Sequence, residues 1–73
     1  MTVRDLFGTL DPNEHIALAR ENPCGLYPVV RGLNRFHPTE MPVAVYKRHC
    51  GDIVRKVKTL NIDGEPTTVI III

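Results

Sequence analysis

The chain has 73 residues, of which 44% are hydrophobic and 23% are charged, and its formal net charge is +1. This length holds one domain, residues 1–73, and the balance of apolar and charged residues excludes a disordered chain. Two cysteines are too few for a disulfide-rich secreted scaffold. A domain this small buries only about 60% of the surface its unfolded chain exposes, so its stability is marginal unless disulfides, a metal or a partner subunit contribute.

The first part of the chain predicts a short helix followed by a β-hairpin. Residues 2–10 place apolar side chains at i, i+3, i+4 and i+7, which is typical of one helix face, and the opening threonine can cap that helix. Alternating apolar residues predict a strand over 15–20, and residues 21–25 contain the breakers of a turn. We expect residues 26–33 to return as an edge or bulged strand, because Pro28 cannot donate to a ladder.

The second part predicts another helix and another hairpin. Residues 40–50 fit a helix capped by Thr39, although their valines and tyrosine also suit a strand. Residues 52–62 predict a long strand with a bulge, because their apolar positions do not keep a strict period of two. An Asp-Gly turn at 63–64 then leads into a last strand over 67–73.

The order α-β-β-α-β-β predicts an α+β fold, with a small antiparallel sheet of about four strands and two short helices. Its last strand ends in a β-branched run, residues 69–73, that shows no alternation and therefore predicts that both faces are covered. A central position between the helices and the other sheet face is one explanation, and a partner subunit is another. We favour the partner and expect a homo-oligomer.

Positive charge is concentrated in the middle of the sequence. Residues 26–60 contain seven cations and two acids, whereas residues 1–25 and 61–73 each have an excess of two acids. Such a region is a candidate surface for phosphate or for an acidic partner protein, although a solvated face has the same composition. No signal-peptide pattern opens the chain and no apolar run would span a membrane, so we expect a cytoplasmic protein with reduced cysteines and no membrane contact.

Catalytic and metal chemistry are disfavoured by the motifs. The sequence has no Gly-rich phosphate loop, no nucleophile elbow and no recognisable carboxylate pair, so we expect a protein that is not an enzyme and needs no cofactor. Its histidines and cysteines also lack the spacing of zinc ligands. These residues are His15, Cys24, His37, His49 and Cys50.

A set of polar side chains suits a nucleotide ligand better. Arginine donates paired hydrogen bonds to phosphate, tyrosine stacks on a base, and asparagine can read a base edge. Ordinary loop polarity is the alternative explanation for each residue alone, and nucleic-acid binding ranks third because no recognition motif supports it. The candidate ligand-binding residues are Tyr27, Arg31, Asn34, Arg35, His37, Tyr46 and Arg48.

The opening of the chain resembles short bacteriophage and prophage reading frames. Residues 2–6 read TVRDL, a T-V-x-D-L helix start, and residues 10–13 read LDPN before a strand. Residues 30–33 and the β-branched end are also similar. The resemblance implies a small accessory protein without transferable catalytic residues, acting in the host cytoplasm against host defence. Two roles follow from it: a homo-oligomeric sponge for a cyclic or ADP-ribose-type nucleotide signal, or an inhibitor that binds a host defence protein directly through a basic surface. A small nucleic-acid-bound regulator is the third.

Overall fold

The computed structural model describes residues 1–30 and 35–73. The α+β class is confirmed, and a 3₁₀ helix is added to the predicted order of elements. The part of the predicted strand 26–33 that extends beyond Val30 lies outside the described residues. The elements are α1 (Val3–Phe7), β1 (Ile16–Asn22), β2 (Gly25–Pro28), the 3₁₀ helix (Pro38–Glu40), α2 (Val43–His49), β3 (Val54–Ile62) and β4 (Glu65–Ile72).

Helix α1 begins where the sequence predicts and ends earlier. Thr2 Oγ1 accepts a hydrogen bond from the Asp5 amide at 3.3 Å, and Asp5 Oδ2 accepts one from the Thr2 amide at 3.1 Å. This reciprocal capping box satisfies two amides that a helix start otherwise leaves unpaired. The helix stops at Phe7 because Gly8 is a poor helix former, so residues 8–10 of the predicted helix form a turn.

Residues 43–49 are helical, which decides between the helix and strand alternatives. The predicted cap at Thr39 is wrong, because Thr39 lies in the separate 3₁₀ helix and Pro42 occupies the N-cap of α2. Met41 is extended, as expected of a residue that precedes proline, and this separates the two helices. No helix in the described ranges combines the length and apolarity that crossing a bilayer requires.

The four strands form one sheet in the order β2-β1-β4-β3. Both hairpins are antiparallel, but β1 pairs with β4 in parallel, so the prediction of an antiparallel sheet is wrong and the sheet is mixed. The reason lies in the apolar content of β1 and β4, which makes the two hairpins join through these strands and places both at the centre. The expected bulge in β3 is confirmed between Val54 and Lys56.

Side chains of the central strands β1 and β4 alternate between the two faces of the sheet, and each face has its own buried cluster. On the helix-covered face, Ile16 and Leu18 of β1 and Ile70 and Ile72 of β4 pack beneath the helices. Hydrophobic residues from outside the sheet complete this core, as their burial of 96% or more shows. They are Val3, Val30 and Phe36.

The opposite face, which we call the open face, has no helix over it in the described part of the chain. It presents Ala17 and Ala19 of β1 beside Val69 and Ile71 of β4, and all four are buried. Strand β4 is therefore central, and its side chains on both faces are buried, which agrees with the central position given as one explanation for its β-branched run. A partner subunit stays a prediction.

Candidate functional site

A cleft of about 450 Å³ lies between α2 and the β1–β2 hairpin on the helix-covered side. We call it the α2 cleft. Its size falls within the usual range of small-molecule sites, and it combines three valines with three residues whose side chains carry or can carry positive charge. The lining residues are Arg20, Val29, Val30, Val45, Arg48 and His49.

Local structure explains why cations gather at this cleft. Alternation along β1 places Arg20 on the same face as Leu18, but beyond the end of the packed core. On α2, Arg48 and His49 lie three and four residues after Val45, so all three share one side of the helix. The basic last turn also complements the negative end of the helix dipole.

Asp52 holds one side of the cleft in place. His49 Nδ1 lies 2.7 Å from Asp52 Oδ2, so this nitrogen donates to the carboxylate, and Arg20 Nη2 lies 4.0 Å from the same oxygen. His49 is 91% buried, which leaves its ring little freedom to reorient. The pair therefore forms a fixed wall, and Asp52 offsets part of the charge of Arg20.

Arg48 is different because no carboxylate lies within 4.0 Å of it among the described residues. The four residues outside the description, 31–34, contain no acid in their sequence. Arg48 is exposed and lines the cleft. It therefore offers a guanidinium that no carboxylate pairs with among the described residues, the group that proteins most often use for phosphate.

Tyr27 is connected to the cleft through its strand partner. It lies opposite Arg20 in the antiparallel pairing of β1 and β2, and opposed side chains share one face of a sheet. This pairing predicts a side chain on the helix-covered side next to Arg20, and the residue is 44% exposed. Tyr27 does not itself line the α2 cleft, and it also borders a groove on the open face. An exposed aromatic ring beside an arginine can stack on a base.

Three other candidates make contacts elsewhere. The Arg35 guanidinium donates to the Ile62 carbonyl at 3.2 Å. The His37 ring stacks on His15 with centroids 4.3 Å apart and its Nδ1 lies 3.2 Å from a backbone carbonyl, while the Tyr46 ring packs 5.6 Å from Phe7. The structure does not gather these three around the cleft.

The remaining two candidates, Arg31 and Asn34, lie outside the described residues. Conversely, Arg20 and His49 line the cleft without having been among the candidates. The alternation of β1 could have placed Arg20 on the helix side, but nothing in the sequence alone indicates that α2 packs beside that strand end.

The rest of the basic region has a different environment. Glu21 Oε1 lies 3.2 Å from Lys56 Nζ and 3.9 Å from Arg55 Nη1, and Glu21 Oε2 lies 3.6 Å from Lys58 Nζ. The hydrogen bond from Lys56, followed by the charges of all three cations, lowers the pKa of Glu21 below its ordinary value. These β3 cations are thus partly neutralised, which distinguishes them from Arg48.

No group of three or more potential metal ligands occurs within the described ranges. No protein-family model matches the chain, and comparisons with curated proteins and with solved structures give no significant similarity. The resemblance to bacteriophage reading frames stays a prediction.

Proposed function

We propose that this protein binds a phosphate-bearing nucleotide in the α2 cleft without transforming it. The observation that supports this most is Arg48, a cation that lines a cleft and has no carboxylate within 4.0 Å among the described residues. Arg20 adds a second guanidinium on the opposite wall. Two arginines facing one cavity suit a diester or diphosphate group better than a single carboxylate, because the phosphate groups offer more acceptor oxygens.

A nucleotide fits this cleft better than free phosphate for two reasons. The three valines of the cleft give it an apolar side that a base or ribose can cover, and Tyr27, although not a lining residue, is the exposed strand partner of Arg20. A bare phosphate would leave that apolar side in contact with water. The proposed ligand class is therefore a cyclic or ADP-ribose-type nucleotide.

Binding is proposed rather than catalysis because of the residues at the cleft. His49 and Asp52 form a hydrogen-bonded pair of the kind that can activate a nucleophile. None of the lining residues has a hydroxyl or thiol group for that pair to activate. Sequestration of a nucleotide signal in the host cytoplasm, the counter-defence role that the resemblance implies, is the use we propose for this binding.

The cations of β3 favour a second candidate function. Arg55 is 58% exposed at its side chain and lies on an edge strand with Lys56 and Lys58, where an acidic partner protein could contact it. Glu21 offsets one of the three charges, so this surface is less strongly basic than its sequence indicates. Direct inhibition of a host defence protein therefore ranks second.

Native mass spectrometry after incubation with a mixed nucleotide pool tests the first function. We expect one nucleotide per chain to be retained by the wild type and by Lys47→Ala, and Arg48→Ala to weaken its binding at least tenfold, as loss of a charge-assisted hydrogen bond does. Lys47 is the matched control, because it is an adjacent cation of α2 that does not line the cleft. Equal weakening by the two variants, or no retained nucleotide, would contradict the assignment.

A further inference from the structure

The open face of the sheet carries an apolar groove of about 280 Å³. It arises because β1 presents two alanines between taller side chains from the neighbouring strands. This groove faces away from the helices and is separate from the α2 cleft. Its floor contains Ala17, Ala19 and Val69, and its rims contain Leu26 on β2 and Leu60 and Ile62 on β3.

The rims expose apolar side chains to water. Leu26 is 37% exposed and Leu60 is 40% exposed, and both are on edge strands. In the described ranges, no helix or loop element packs across them to remove this surface from solvent. Apolar rims around an apolar floor form a continuous patch, which in a small domain is typical of a contact surface.

The two ends of the open face carry opposite charge. At one end Arg55, Lys56 and Lys58 surround Glu21 and leave a net charge of about +2 at neutral pH. At the other end the β3–β4 turn carries Asp63, and Glu65 follows as the first residue of β4.

Arg35 lies close to that turn, because its guanidinium donates to the Ile62 carbonyl at 3.2 Å. Counting Arg35 against the two acids leaves this end with a net charge of about −1 over residues 1–30 and 35–73. The charge of the open face therefore changes along the strand direction, from basic at one end to acidic at the other.

We infer that the open face binds the open face of a second copy through a two-fold axis that runs perpendicular to the strands. This axis places β3 over the β3 of the partner in the antiparallel direction, so each basic end meets an acidic turn. An axis along the strands would instead bring the two basic ends together, which costs energy by repulsion. Because the basic end of one copy is complementary to the acidic end of the other, the charges favour a second copy as the partner and favour the antiparallel orientation.

The area of the face sets the strength of this dimer. The strands contain 4, 7, 9 and 8 residues, and each strand residue covers roughly 3.3 Å by 4.8 Å of sheet. Two such faces therefore bury about 900 Å² of projected area, close to the lower limit of about 1,000 Å² for specific interfaces. We expect a weak dimer whose population depends on concentration. It would leave the α2 clefts of both copies open, so it does not depend on the proposed nucleotide function.

Sedimentation equilibrium from about 1 μM to 1 mM tests the interface, a range that spans weak association. Leu60→Asp should increase the dimer dissociation constant at least tenfold, because it places a charge in the apolar contact. Val57→Asp is the matched control: Val57 is on the same strand and 44% exposed, but its pairing with Ile70 puts it on the other face. Circular dichroism checks both folds, and Leu26→Asp on the opposite rim replaces Leu60→Asp if that variant unfolds.

A wild type that is monomeric at every concentration overturns the inference, as does a dimer that both β3 variants disrupt equally. Salt distinguishes the two orientations. In the proposed arrangement the dissociation constant rises between about 50 and 500 mM NaCl, because screening weakens attraction between opposite ends. A dissociation constant that falls with salt would indicate contact between like ends and overturn the proposed axis.

Discussion

The Glu21 carboxylate and the Lys56 ammonium group meet 3.2 Å apart across β4, which lies between their strands. Lys56 is paired with Ile71, and Ile71 is fully buried although no helix covers this face within the described ranges. The methylene groups of the charged side chains explain this burial, because they cover the strand while their charged ends stay hydrated. At one end of the open face, ion-paired side chains thus shield the central strand from water, as a packed helix does on the other face.

This ion pair predicts a loss of stability in acid. Lys56 and its neighbours lower the pKa of Glu21, so the folded protein binds a proton at this carboxylate less readily than the unfolded chain does. The resulting stability is complete above the ordinary pKa of 4.5 and disappears as the pH falls through the lower folded value. In urea titrations between about pH 7 and pH 3, Glu21→Gln should show a flatter dependence than the wild type.

Glu65→Gln is the control for that experiment, because Glu65 is exposed and no ion pair involves it in the described structure. The free energy of unfolding of this variant should depend on pH as that of the wild type does, at a protein concentration where the chain is monomeric. Identical curves for the wild type and Glu21→Gln would mean that the ion pair does not contribute to the acid response.

The last strand predicts a large contrast between two nearby isoleucines. Ile71→Ala should destabilise the fold by about 2–5 kcal/mol, because it removes a fully buried side chain from the centre of the sheet. Ile73→Ala should change stability by less than about 0.5 kcal/mol, because Ile73 is 72% exposed. Thermal unfolding measures both, since about 1 kcal/mol shifts the Tm of a domain this small by roughly 4–8 °C. Similar losses in the two variants would mean that Ile71 is not packed as described.

The capping box of α1 gives a third prediction. Thr2→Ala should cost about 1 kcal/mol of unfolding free energy, because the Asp5 amide loses its acceptor. Thr2→Ser keeps a hydroxyl at the same position and should retain most of that stability. Urea unfolding of the three proteins at one pH provides the comparison. Equal destabilisation by serine and alanine would assign the effect to the lost methyl group instead of the hydrogen bond.

Local signals predicted most of the elements, whereas long-range packing decided the rest. The cap at Thr2, the bulge in β3 and the Asp-Gly turn each depend on a few adjacent residues, and all three are present. The parallel pairing of β1 and β4 depends on how two hairpins dock, which no local pattern records. For the same reason the sequence indicated Arg48 but not its neighbour across the cleft, Arg20, which a distant strand supplies.

Asp52 provides the sharpest test of whether the α2 cleft is a site for anions. Its carboxylate is the acid nearest to Arg20 and His49, so it reduces the positive potential that a phosphate would meet. Asp52→Asn removes that charge while its amide oxygen can still accept the hydrogen bond from His49 Nδ1, which preserves the wall of the cleft. At the effective dielectric of a protein surface, the lost repulsion corresponds to roughly threefold to tenfold tighter anion binding.

Isothermal titration with ADP-ribose, and with pyrophosphate as a minimal anion, measures this effect directly. Asp52→Asn should raise the affinity for both probes, whereas Arg48→Ala should lower it, so the two substitutions move binding in opposite directions from the same cavity. A structural role for Asp52 alone would instead make Asp52→Asn bind more weakly, together with a lower Tm. That result, with Arg48→Ala unchanged, would place any nucleotide site elsewhere on the protein, because an anion site lined by Arg48 loses affinity when that charge is removed and does not lose it when the acid beside Arg20 and His49 is neutralised.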